Sequence, residues 1–407
     1  MTAIVSILNK HAVAIAADSA VTFGHKVVNS GNKIFMLSKF HPIAIMTYNN
    51  ASYMGMPWDT VIKLYRRQLA NRELDTVSAY LDDFLSFLHK QELYNAEESK
   101  LAIANAILSF YNTMINKAKK EIAGFDEKAA NAFEGVKDTL HKYKGIFQTS
   151  TKNVEFAGYT YDKFLQQNDA SISLFKTWIK RVAIPDAGYD CLLESYYEYL
   201  LISSFYDTFS GLVFIGYGRT ELFPSSEQIL LWEKIGDRIK FDRGSAIHVG
   251  DGGSPAWIVP YAQINVEKTI VQGIHPDIKD LIFRTFSNIM NQIGQNIRGF
   301  NAGLYSNLFR SQIEGYISAN HIDPLMDTIV NLDKEDMADM AESIVSLTSL
   351  MKRVSPEEET VGGPVDVAVI SKGDGFIWMK RKHYFQPELN PHFFSNYFRN
   401  NNYGEQQ

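Results

Sequence analysis

The chain begins with two short runs of small and β-branched residues that are apolar at nearly every position. Residues 3–8 read Ala-Ile-Val-Ser-Ile-Leu, residues 12–17 read Ala-Val-Ala-Ile-Ala-Ala, and three residues, 9–11, separate them. Two such runs with a short polar connection predict a β-hairpin. A strand with one face in water alternates apolar and polar residues, and these two do not. We therefore expect a hairpin covered on both faces, which requires further layers on each side of its sheet.

The order of the other predicted elements indicates what those layers are. The predicted strands after the hairpin are 33–37, 42–47, 211–216, 228–233, 238–242, 246–249, 365–370 and 376–381. Helical periodicity appears at 58–69, 77–88 and in several segments between 276 and 351, the last of which carries an apolar stripe from Met337 to Met351. If the first and last strands share a sheet and helices cover the outside, the fold class is α+β, a four-layer αββα sandwich.

A helix-rich segment interrupts this pattern. Residues 92–205 contain four helical patterns and are dense in Tyr and Phe, so we expect an inserted helical subdomain. The predicted organisation is 1–91 as the N-terminal part of the sandwich, 92–205 as the insertion, 206–385 as the rest of the sandwich, and 386–407 as a C-terminal tail. The Asn-rich stretch 396–407 has no helical or strand period and is left unassigned.

Composition excludes several classes of partner. The 407 residues are 45% apolar and 21% charged, which is typical of a soluble globular protein. Forty basic and 46 acidic residues give a net charge of -6, and no Lys/Arg run is dense enough to follow a phosphate backbone, so nucleic acid is not expected as a partner. No stretch approaches the roughly 20 apolar residues of a membrane helix. The single cysteine, Cys191, excludes an internal disulfide and favours a cytoplasmic location.

The first residues, Met1-Thr2-Ala3-Ile4-Val5, do not resemble a signal peptide. An aminopeptidase that accepts small second residues would remove Met1 and expose Thr2. An N-terminal threonine supplies a nucleophilic hydroxyl and an α-amine with a pKa of about 7.7–8.0, which serves as a general base. Taken alone, Met-Thr is a common start, so the neighbouring residues decide whether this chemistry is expected.

Three segments carry a resemblance to a known family. Thr2-Ala-Ile-Val-Ser-Ile, Ala16-Ala17-Asp18-Ser19 and Asn32-Lys33-Ile34-Phe35 resemble the opening of proteasome β-subunits and of the HslV-type bacterial peptidase, which are N-terminal-nucleophile (Ntn) hydrolases. The resemblance covers about residues 2–90 and returns at the helix ending at Met351, the segment 357–363 and the final hairpin. It implies the four-layer sandwich and a threonine-type peptidase.

The resemblance also implies roles for individual residues. The nucleophile falls on Thr2, the active-site aspartate on Asp18 and the active-site lysine on Lys33, with one residue fewer than usual between the last two. Lys33 would favour the deprotonated amine and hydroxyl of Thr2, and Asp18 would hold the ammonium in place. The alternative is that Asp18 only ends a strand and that Lys33 is a solvated turn residue.

Other positions depart from the family pattern. Asn49 stands where a Gly-rich turn supplies the oxyanion donor, and Tyr217, between two glycines, stands where a supporting serine is usual. The supporting acidic and hydroxyl residues map to Glu358 and to Thr360 or Val361, where three consecutive glutamates leave the register open. An Asn in place of Gly restricts the turn and narrows the pocket, which leaves the substrate class open.

The sequence thus predicts a proteasome-like N-terminal-threonine hydrolase that cleaves peptide bonds through a Thr2 acyl-enzyme. The expected partners are a peptide or protein substrate and further copies of the chain, and an ATPase or regulatory partner is left open. One alternative is a catalytically silent binding or assembly protein of the same fold, favoured by Asn49 and Tyr217. Another is an Ntn amidase that acts on a small non-peptide amide.

The sequence contains no convincing pattern for a cysteine nucleophile, a phosphate-binding loop or a metal site, so no cofactor and no metal are expected. Cys191 lies on a predicted apolar helix face and is interpreted as a core thiol. The Gly250-Asp-Gly-Gly segment lacks the Lys-Ser/Thr of a phosphate-binding loop. His321 and Asp323 have no third ligand at metal-binding spacing.

Overall fold

The computed structural model describes residues 2–23, 26–90, 96–126, 132–179, 186–203, 209–250, 254–262, 264–354, 361–383, 385–392 and 395. The strands are β1 (Ile4–Leu8), β2 (Val13–Ala17), β3 (Val21–Phe23), β4 (Lys26–Val28), β5 (Ile34–Met36), β6 (Ile43–Asn49), β7 (Ser52–Tyr53), β8 (Met56–Pro57), β9 (Ser210–Gly216), β10 (Ser225–Ile235), β11 (Arg238–His248), β12 (Trp257–Ala262), β13 (Asp366–Ser371) and β14 (Gly375–Lys380).

The helices are α1 (Trp58–Leu69), α2 (Val77–Lys90), α3 (Ala96–Glu121), α4 (Ala132–Thr149), α5 (Tyr161–Trp178), α6 (Asp186–Leu200), α7 (Ile264–Gln272), α8 (Pro276–Asn296), α9 (Ala302–Ile317), α10 (Asp323–Val330) and α11 (Lys334–Val354). Short 3₁₀ helices occupy Val154–Phe156 and Pro387–Leu389, and a π-helical turn, Ser318–Ile322, joins α9 to α10. The protein is mixed α/β, and its large sheets are built from antiparallel pairs. No helix in the described ranges is long and apolar enough to cross a membrane.

The chain divides into two compact units, and the first comprises residues 1–33, 256–369 and 377–407. Its sheet has the strand order β12-β1-β2-β13-β14. β1 and β2 form an antiparallel hairpin whose register runs from Ile4 opposite Ala17 to Leu8 opposite Val13. Every residue of both strands is buried. The predicted hairpin and its burial on both faces are therefore confirmed.

The turn of this hairpin is held by one side chain. Asn9 Oδ1 accepts hydrogen bonds from the backbone N–H groups of His11 and Ala12 at 2.9 and 3.1 Å. Its Nδ2 donates to the carbonyl oxygens of Ile329 and Leu332 at 2.9 and 3.0 Å. Asn9 is buried and uses both ends of its amide, so it ties the hairpin turn to the connection between α10 and α11.

Helix α11 covers one face of the hairpin. Asp333 caps it, because its Oδ1 accepts from the N–H groups of Glu335 and Asp336 at 3.0 and 2.9 Å. The buried face of α11 packs with β1 and β2 in one apolar cluster. The predicted stripe was too wide, since Leu347 and Met351 are exposed.

The second unit comprises residues 34–255 and 370–376. Its sheet has the order β11-β10-β9-β6-β5, and every neighbouring pair is antiparallel. Helices α1 and α2 pack with this sheet in one apolar cluster, and a second cluster, rich in aromatic residues, joins α3, α4, α5 and α6 to residues of β10. The helices predicted between residues 92 and 205 are present, whereas the predicted domain boundaries and the four-layer stacking stay predictions.

The predicted break between strands 238–242 and 246–249 was wrong, because β11 runs without interruption through Gly244 and Ser245. Its pairing with β10 contains a bulge between Glu227 and Ile229. Gln228 Oε1 accepts from Ser245 N at 3.1 Å, and a Cβ on Gly244 would lie 2.2 Å from the same oxygen. Gly244 is thus required by the close approach of the Gln228 side chain, and it does not end the strand.

Several elements were missed in the sequence. The short pairs β3–β4 and β7–β8 span two or three residues per strand, which is too short for a period to appear. β12 contains Pro260, which argues against a central strand, and the structure places β12 at the edge of its sheet, where proline is tolerated. The stretch 396–407 lies outside the described residues.

Helix α7 carries a buried acid that has no role in the predicted site. Glu267 is 6% exposed, and its Oε2 has no hydrogen-bond partner among the described residues. Burial raises the pKa of Glu267 to about 7, and the neighbouring Lys268 opposes this rise. The protonated carboxyl is therefore the form that the folded chain favours.

We predict that this carboxyl makes the protein less stable as the pH rises. The folded-state pKa lies above the unfolded value, so the contribution of Glu267 is fully present below that unfolded value and is lost as the pH rises through about 7. The free energy of unfolding in urea is measured for the wild type and for Glu267→Gln at pH 5 and at pH 8. The difference, variant minus wild type, should be more positive at pH 8 than at pH 5. The exposed Glu314→Gln is the control. An equal effect of Glu267→Gln at both pH values would contradict the prediction.

Candidate active site

A buried carboxylate organises the site in the first unit. Asp18 directly follows β2 and is 1% exposed. Its Oδ1 accepts from Ala3 N at 2.9 Å and from Lys33 Nζ at 2.6 Å. Its Oδ2 accepts from Ala20 N at 3.2 Å and from Gly362 N at 3.0 Å. These four hydrogen bonds to the two carboxylate oxygens offset the free-energy cost of removing the charge from water.

The partner of this carboxylate is a buried lysine. Lys33 directly precedes β5, is 5% exposed, and forms its ion pair with Asp18 inside the first unit. Burial lowers the pKa of Lys33, the contact with Asp18 opposes that effect, and the positive charge of Lys382 adds a smaller lowering. The interpretation of Lys33 as a solvated turn residue was wrong, since the ammonium is enclosed beside a single carboxylate oxygen.

Thr2 directly precedes Ala3, whose N–H donates to the Asp18 carboxylate. Thr2 precedes β1 and is 5% exposed. The following residue, Ala3, is held from both sides by Asp18, because Ala3 N donates to the carboxylate and Asp18 N donates to Ala3 O at 3.1 Å. The structure therefore brings Thr2, Asp18 and Lys33 into one region, with the carboxylate linking the amide after Thr2 to the lysine ammonium.

Sequence reasoning missed a second support for Asp18. Ser19 Oγ donates to Pro364 O at 2.5 Å, and Ser19 N donates to Gly362 O at 3.1 Å. These bonds and the Gly362 N–H fasten the residues just before β13 to the end of β2. The only available signal was the serine that directly follows Asp18, a residue type common in turns.

The predicted oxyanion donor lies in the second unit. Asn49 is the last residue of β6, is exposed, and has a φ of 69°. This left-handed region favours glycine, and asparagine is among the few other residues that adopt it readily. The turn thus has the backbone geometry of a glycine turn although the residue differs. The role of the Asn49 N–H stays a prediction.

The other predicted supporting residues have separate outcomes. Tyr217 lies in the second unit, is buried, and donates its N–H to Pro42 O at 2.9 Å. Burial raises the pKa of Tyr217, so its phenol stays protonated, and its supporting role stays a prediction. Glu358 and Thr360 lie outside the described residues, whereas Val361 is described and buried.

Cys191 and the acidic and histidine residues form no metal site in the described ranges. Cys191 is buried in the aromatic-rich cluster of the second unit, and burial raises the pKa of its thiol. This agrees with its interpretation as a core thiol. The described residues contain no group of three His, Cys, Asp or Glu side chains arranged to hold a metal ion.

Comparison with known proteins gives a distant likeness. No family model and no curated protein matches the chain. The chain is similar to the solved structure of Anbu from Hyphomicrobium sp. strain MC1, with 9% identity and a TM-score of 0.31 over 100% of this chain and 99% of that one. The Gly-1 mutant of Anbu from the same strain gives 9% identity and a TM-score of 0.26 over 100% and 99%. Anbu from Yersinia bercovieri, described as an ancestral beta-subunit, gives 8% identity and a TM-score of 0.30 over 100% and 97%.

These findings overturn the assignment to the proteasome β-subunits and the HslV-type peptidase. No family model supports it, and the three Anbu structures named above are only 8–9% identical to the chain, with TM-scores too low to carry an argument. The segments behind the assignment were short. Runs such as Ala16–Ser19 arise wherever a buried strand of small residues ends in a polar turn, so they specify a local structure rather than a family. The function must therefore be inferred from the geometry of the site.

We predict unequal effects from removing the two partners of the ion pair. Asp18→Asn leaves the Lys33 ammonium buried without its carboxylate and should cost about 3–5 kcal/mol in the free energy of unfolding. Lys33→Met should cost less, because the carboxylate keeps the N–H groups of Ala3, Ala20 and Gly362. The double variant should recover part of the loss. Urea unfolding of all three measures this.

The exposed pair Lys63–Asp59 on α1 allows the same double-mutant cycle to be measured as a control. Its Lys63→Met and Asp59→Asn variants should change stability by less than about 1 kcal/mol. Additive losses at Asp18 and Lys33, with no recovery in the double variant, would contradict the coupling described here.

Proposed function

We propose that the chain is an N-terminal-threonine amide hydrolase that cleaves peptide bonds through an acyl-enzyme on Thr2. The observation that carries the proposal is the buried Asp18 carboxylate, which binds both the amide directly after Thr2 and the Lys33 ammonium. A buried ion pair costs desolvation and is a weak source of stability. Its position beside a residue with a nucleophilic side chain supports a chemical role.

The proposed reaction has two steps that share one nucleophile. Thr2 Oγ1 attacks the carbonyl carbon of the substrate, and the free α-amine of Thr2 takes the hydroxyl proton and delivers it to the leaving amine. The C–N bond breaks and an ester on Thr2 forms. Water, activated by the same amine, then cleaves the ester and restores the hydroxyl. A backbone N–H group is required as the donor to the oxyanion in both steps.

Lys33 tunes this chemistry through its charge. An ammonium near the Thr2 amine lowers the amine's proton affinity, so more of the amine is in the basic form near neutral pH. Asp18 keeps the Lys33 nitrogen in place through the 2.6 Å contact. Burial lowers the pKa of Lys33 at the same time, so this side chain can also exchange protons more readily than a solvated lysine.

The proposal has one chemical requirement. The peptide bond before Thr2 must be cleaved, because an acylated Thr2 nitrogen cannot accept a proton. N-terminal sequencing or top-down mass spectrometry of the purified native protein checks this. A peptide or protein is the proposed substrate class, and the four-layer αββα arrangement with a helical insertion at 92–205 belongs to the same proposal.

A second candidate is a catalytically silent protein with the same site architecture. Asn49 and Tyr217 stand where the hydrolase site was expected to hold a glycine and a serine, and these two side chains favour the silent alternative. The 5% exposure of Thr2 describes a chain in which Met1 still precedes it, so it favours neither candidate. The two candidates differ in reactivity. Intact mass before and after exposure to a threonine-directed electrophile separates them, since only an accessible, free Thr2 gains the mass of the adduct.

We predict that substitutions at Thr2 and Lys33 separate chemistry from folding. Thr2→Ala should abolish amide cleavage, and Thr2→Ser should retain part of it because the hydroxyl and the amine both remain. Lys33→Ala should lower kcat on the order of 10²-fold or more, the size of other positioned acid–base effects. Lys33→Arg should fail to restore activity, since a guanidinium is larger and permanently charged. Turnover of a fluorogenic peptide panel measures each variant.

Circular dichroism and thermal melting serve as the folding controls for these variants. The exposed Lys63→Ala, with the same change of residue type, should leave turnover unchanged. Undiminished cleavage by a folded Thr2→Ala protein would exclude Thr2 as the nucleophile.

Self-association is the proposed quaternary state. Helix α8 presents exposed Ile278, Ile282, Ile289 and Ile293, which recur every four, seven or eleven residues and so lie on one face. Residues 285–297, which include Ile289 and Ile293, contain no charged side chain, so two copies of this part of the face bury no like charges when they meet. A second copy of the chain is therefore the occupant that the composition of the face supports.

We predict that a single charge on this face weakens the assembly. Ile282→Lys should shift native mass spectra at micromolar concentration toward the monomer, because the ammonium would be buried at the contact. Asn291→Lys adds the same charge to an exposed position on the opposite side of α8 and should leave the spectrum unchanged. A wild-type monomer at every concentration tried would contradict self-association.

A further inference from the structure

A cavity that plays no part in the proposed chemistry lies in the second unit. It has a volume of about 510 Å³, within the roughly 300–1,000 Å³ range of small-ligand sites. The β7–β8 hairpin, helix α3 and one side chain of β10 line it. All of these elements belong to the same unit.

The lining combines a soft apolar surface with amide and hydroxyl groups. Met54, Met56, Leu101 and Trp232 form the apolar part, and Trp232 is 2% exposed, whereas Leu101 is 44% exposed. The polar part contains two asparagines, Asn50 and Asn105, and two serines, Ser52 and Ser109. Methionine side chains adapt their shape to an apolar guest, and indole supplies a large flat contact.

Helix α3 explains why the space is open. Its lining residues include Leu101, Ala102, Asn105 and Ser109, spaced as one helical face. Its other face, with Ile103, Ile107 and Phe110 among its members, packs into the aromatic-rich cluster. The large side chains thus point into the core, and Ala102 and Ser109 leave room on the cavity side.

The hairpin that forms the opposite wall is built with backbone strain. Met54 has a φ of 52°, a conformation that residues other than glycine, asparagine and aspartate rarely adopt, and Gly55 follows with a φ of 83°. This turn directs the Met54 side chain inward, where it is buried and accepts a hydrogen bond from Lys234 N at its Sδ at 3.4 Å. Strain of this kind concentrates at ligand sites.

We propose that this cavity binds a peptide segment through one bulky, uncharged apolar side chain. The methionines, Leu101 and Trp232 hold the side chain. The amide of Asn105 pairs with an N–H and a C=O group of the peptide backbone. Asn50 Oδ1 accepts from Ser52 N at 3.4 Å, so Asn50 offers its Nδ2 as a donor to a peptide carbonyl. An asparagine amide both donates and accepts, which matches a peptide bond. The inference rests on the lining of this cavity alone, so it holds whether or not Thr2 is a nucleophile.

Charge narrows the class of peptide further. No Lys or Arg is among the described residues that line the cavity, and Glu98 is its one charged lining residue there. A carboxylate at the rim disfavours acidic residues beside the anchoring side chain. The ligand class is therefore a peptide with an aliphatic or aromatic anchor and neutral or basic flanks.

Binding is tested with defined peptides on the full chain carrying Thr2→Ala, so that cleavage does not consume the probe. Saturation-transfer NMR and calorimetry compare acetyl-Gly-Leu-Gly-amide with acetyl-Gly-Asp-Gly-amide and with benzene. The leucine peptide should bind, and the aspartate peptide should bind at least about tenfold more weakly. Binding of benzene without binding of the leucine peptide would overturn the proposal in favour of a small apolar ligand.

Two variants locate the binding. Ala102→Phe fills the cavity and should weaken the leucine peptide at least about tenfold. Asn105→Ala removes one amide at an exposed position and should lower the affinity for the leucine peptide about threefold. Asn116 is an exposed asparagine of α3 that does not line the cavity, so Asn116→Ala should leave this affinity unchanged. If Ala102→Phe does not fold, the Asn105 and Asn116 pair decides. Equal affinity in Asn105→Ala, Asn116→Ala and the parent would overturn the proposal, and this result leaves the hydrolase proposal standing.

Discussion

The arrangement around Thr2 depends on the compensation of one buried carboxylate. Asp18 accepts four hydrogen bonds, and their donors are Ala3 N, Ala20 N, Lys33 Nζ and Gly362 N. Each donor comes from a different segment, so satisfying the charge requires all of these segments to meet. The Asp18 carboxylate is stable in the interior only with these hydrogen bonds, so it determines the local geometry. It also orients the ammonium of Lys33, because Lys33 is one of its donors.

The hairpin of the first unit could be predicted from sequence because its signal is strong and local. β1 and β2 are runs of small apolar residues on either side of a polar turn, and both the pairing and the burial follow from that pattern. Strand β12, which contains Pro260, and the continuity of β11 through Gly244 were not predicted, for the opposite reason. The usual meaning of a proline or a glycine depends on context: β12 tolerates proline because it lies at an edge, and β11 needs glycine because a neighbouring side chain approaches closely.

The candidate site could be predicted in part. The resemblance implied a contact between Lys33 and Asp18, and the structure contains this ion pair. The catalytic roles of the two residues stay predictions. The contribution of Ser19 and of the segment before β13 could not be predicted, since those contacts join residues more than 340 positions apart and no period records them. The assignment to a known family was wrong for a related reason. It rested on short segments, and a short segment indicates a local structure rather than a family.

The long separation between the partners of Asp18 also has a consequence for synthesis of the chain. The β1–β2 hairpin leaves the ribosome well before its neighbours in the sheet, β12 and β13, which are made more than 230 residues later. Until then both edges of an apolar hairpin are unpaired, and the Asp18 carboxylate lacks its donor at Gly362. Unpaired apolar edges promote association between chains, so the interval of translation is the period in which this protein is most exposed to misassembly and to chaperone binding.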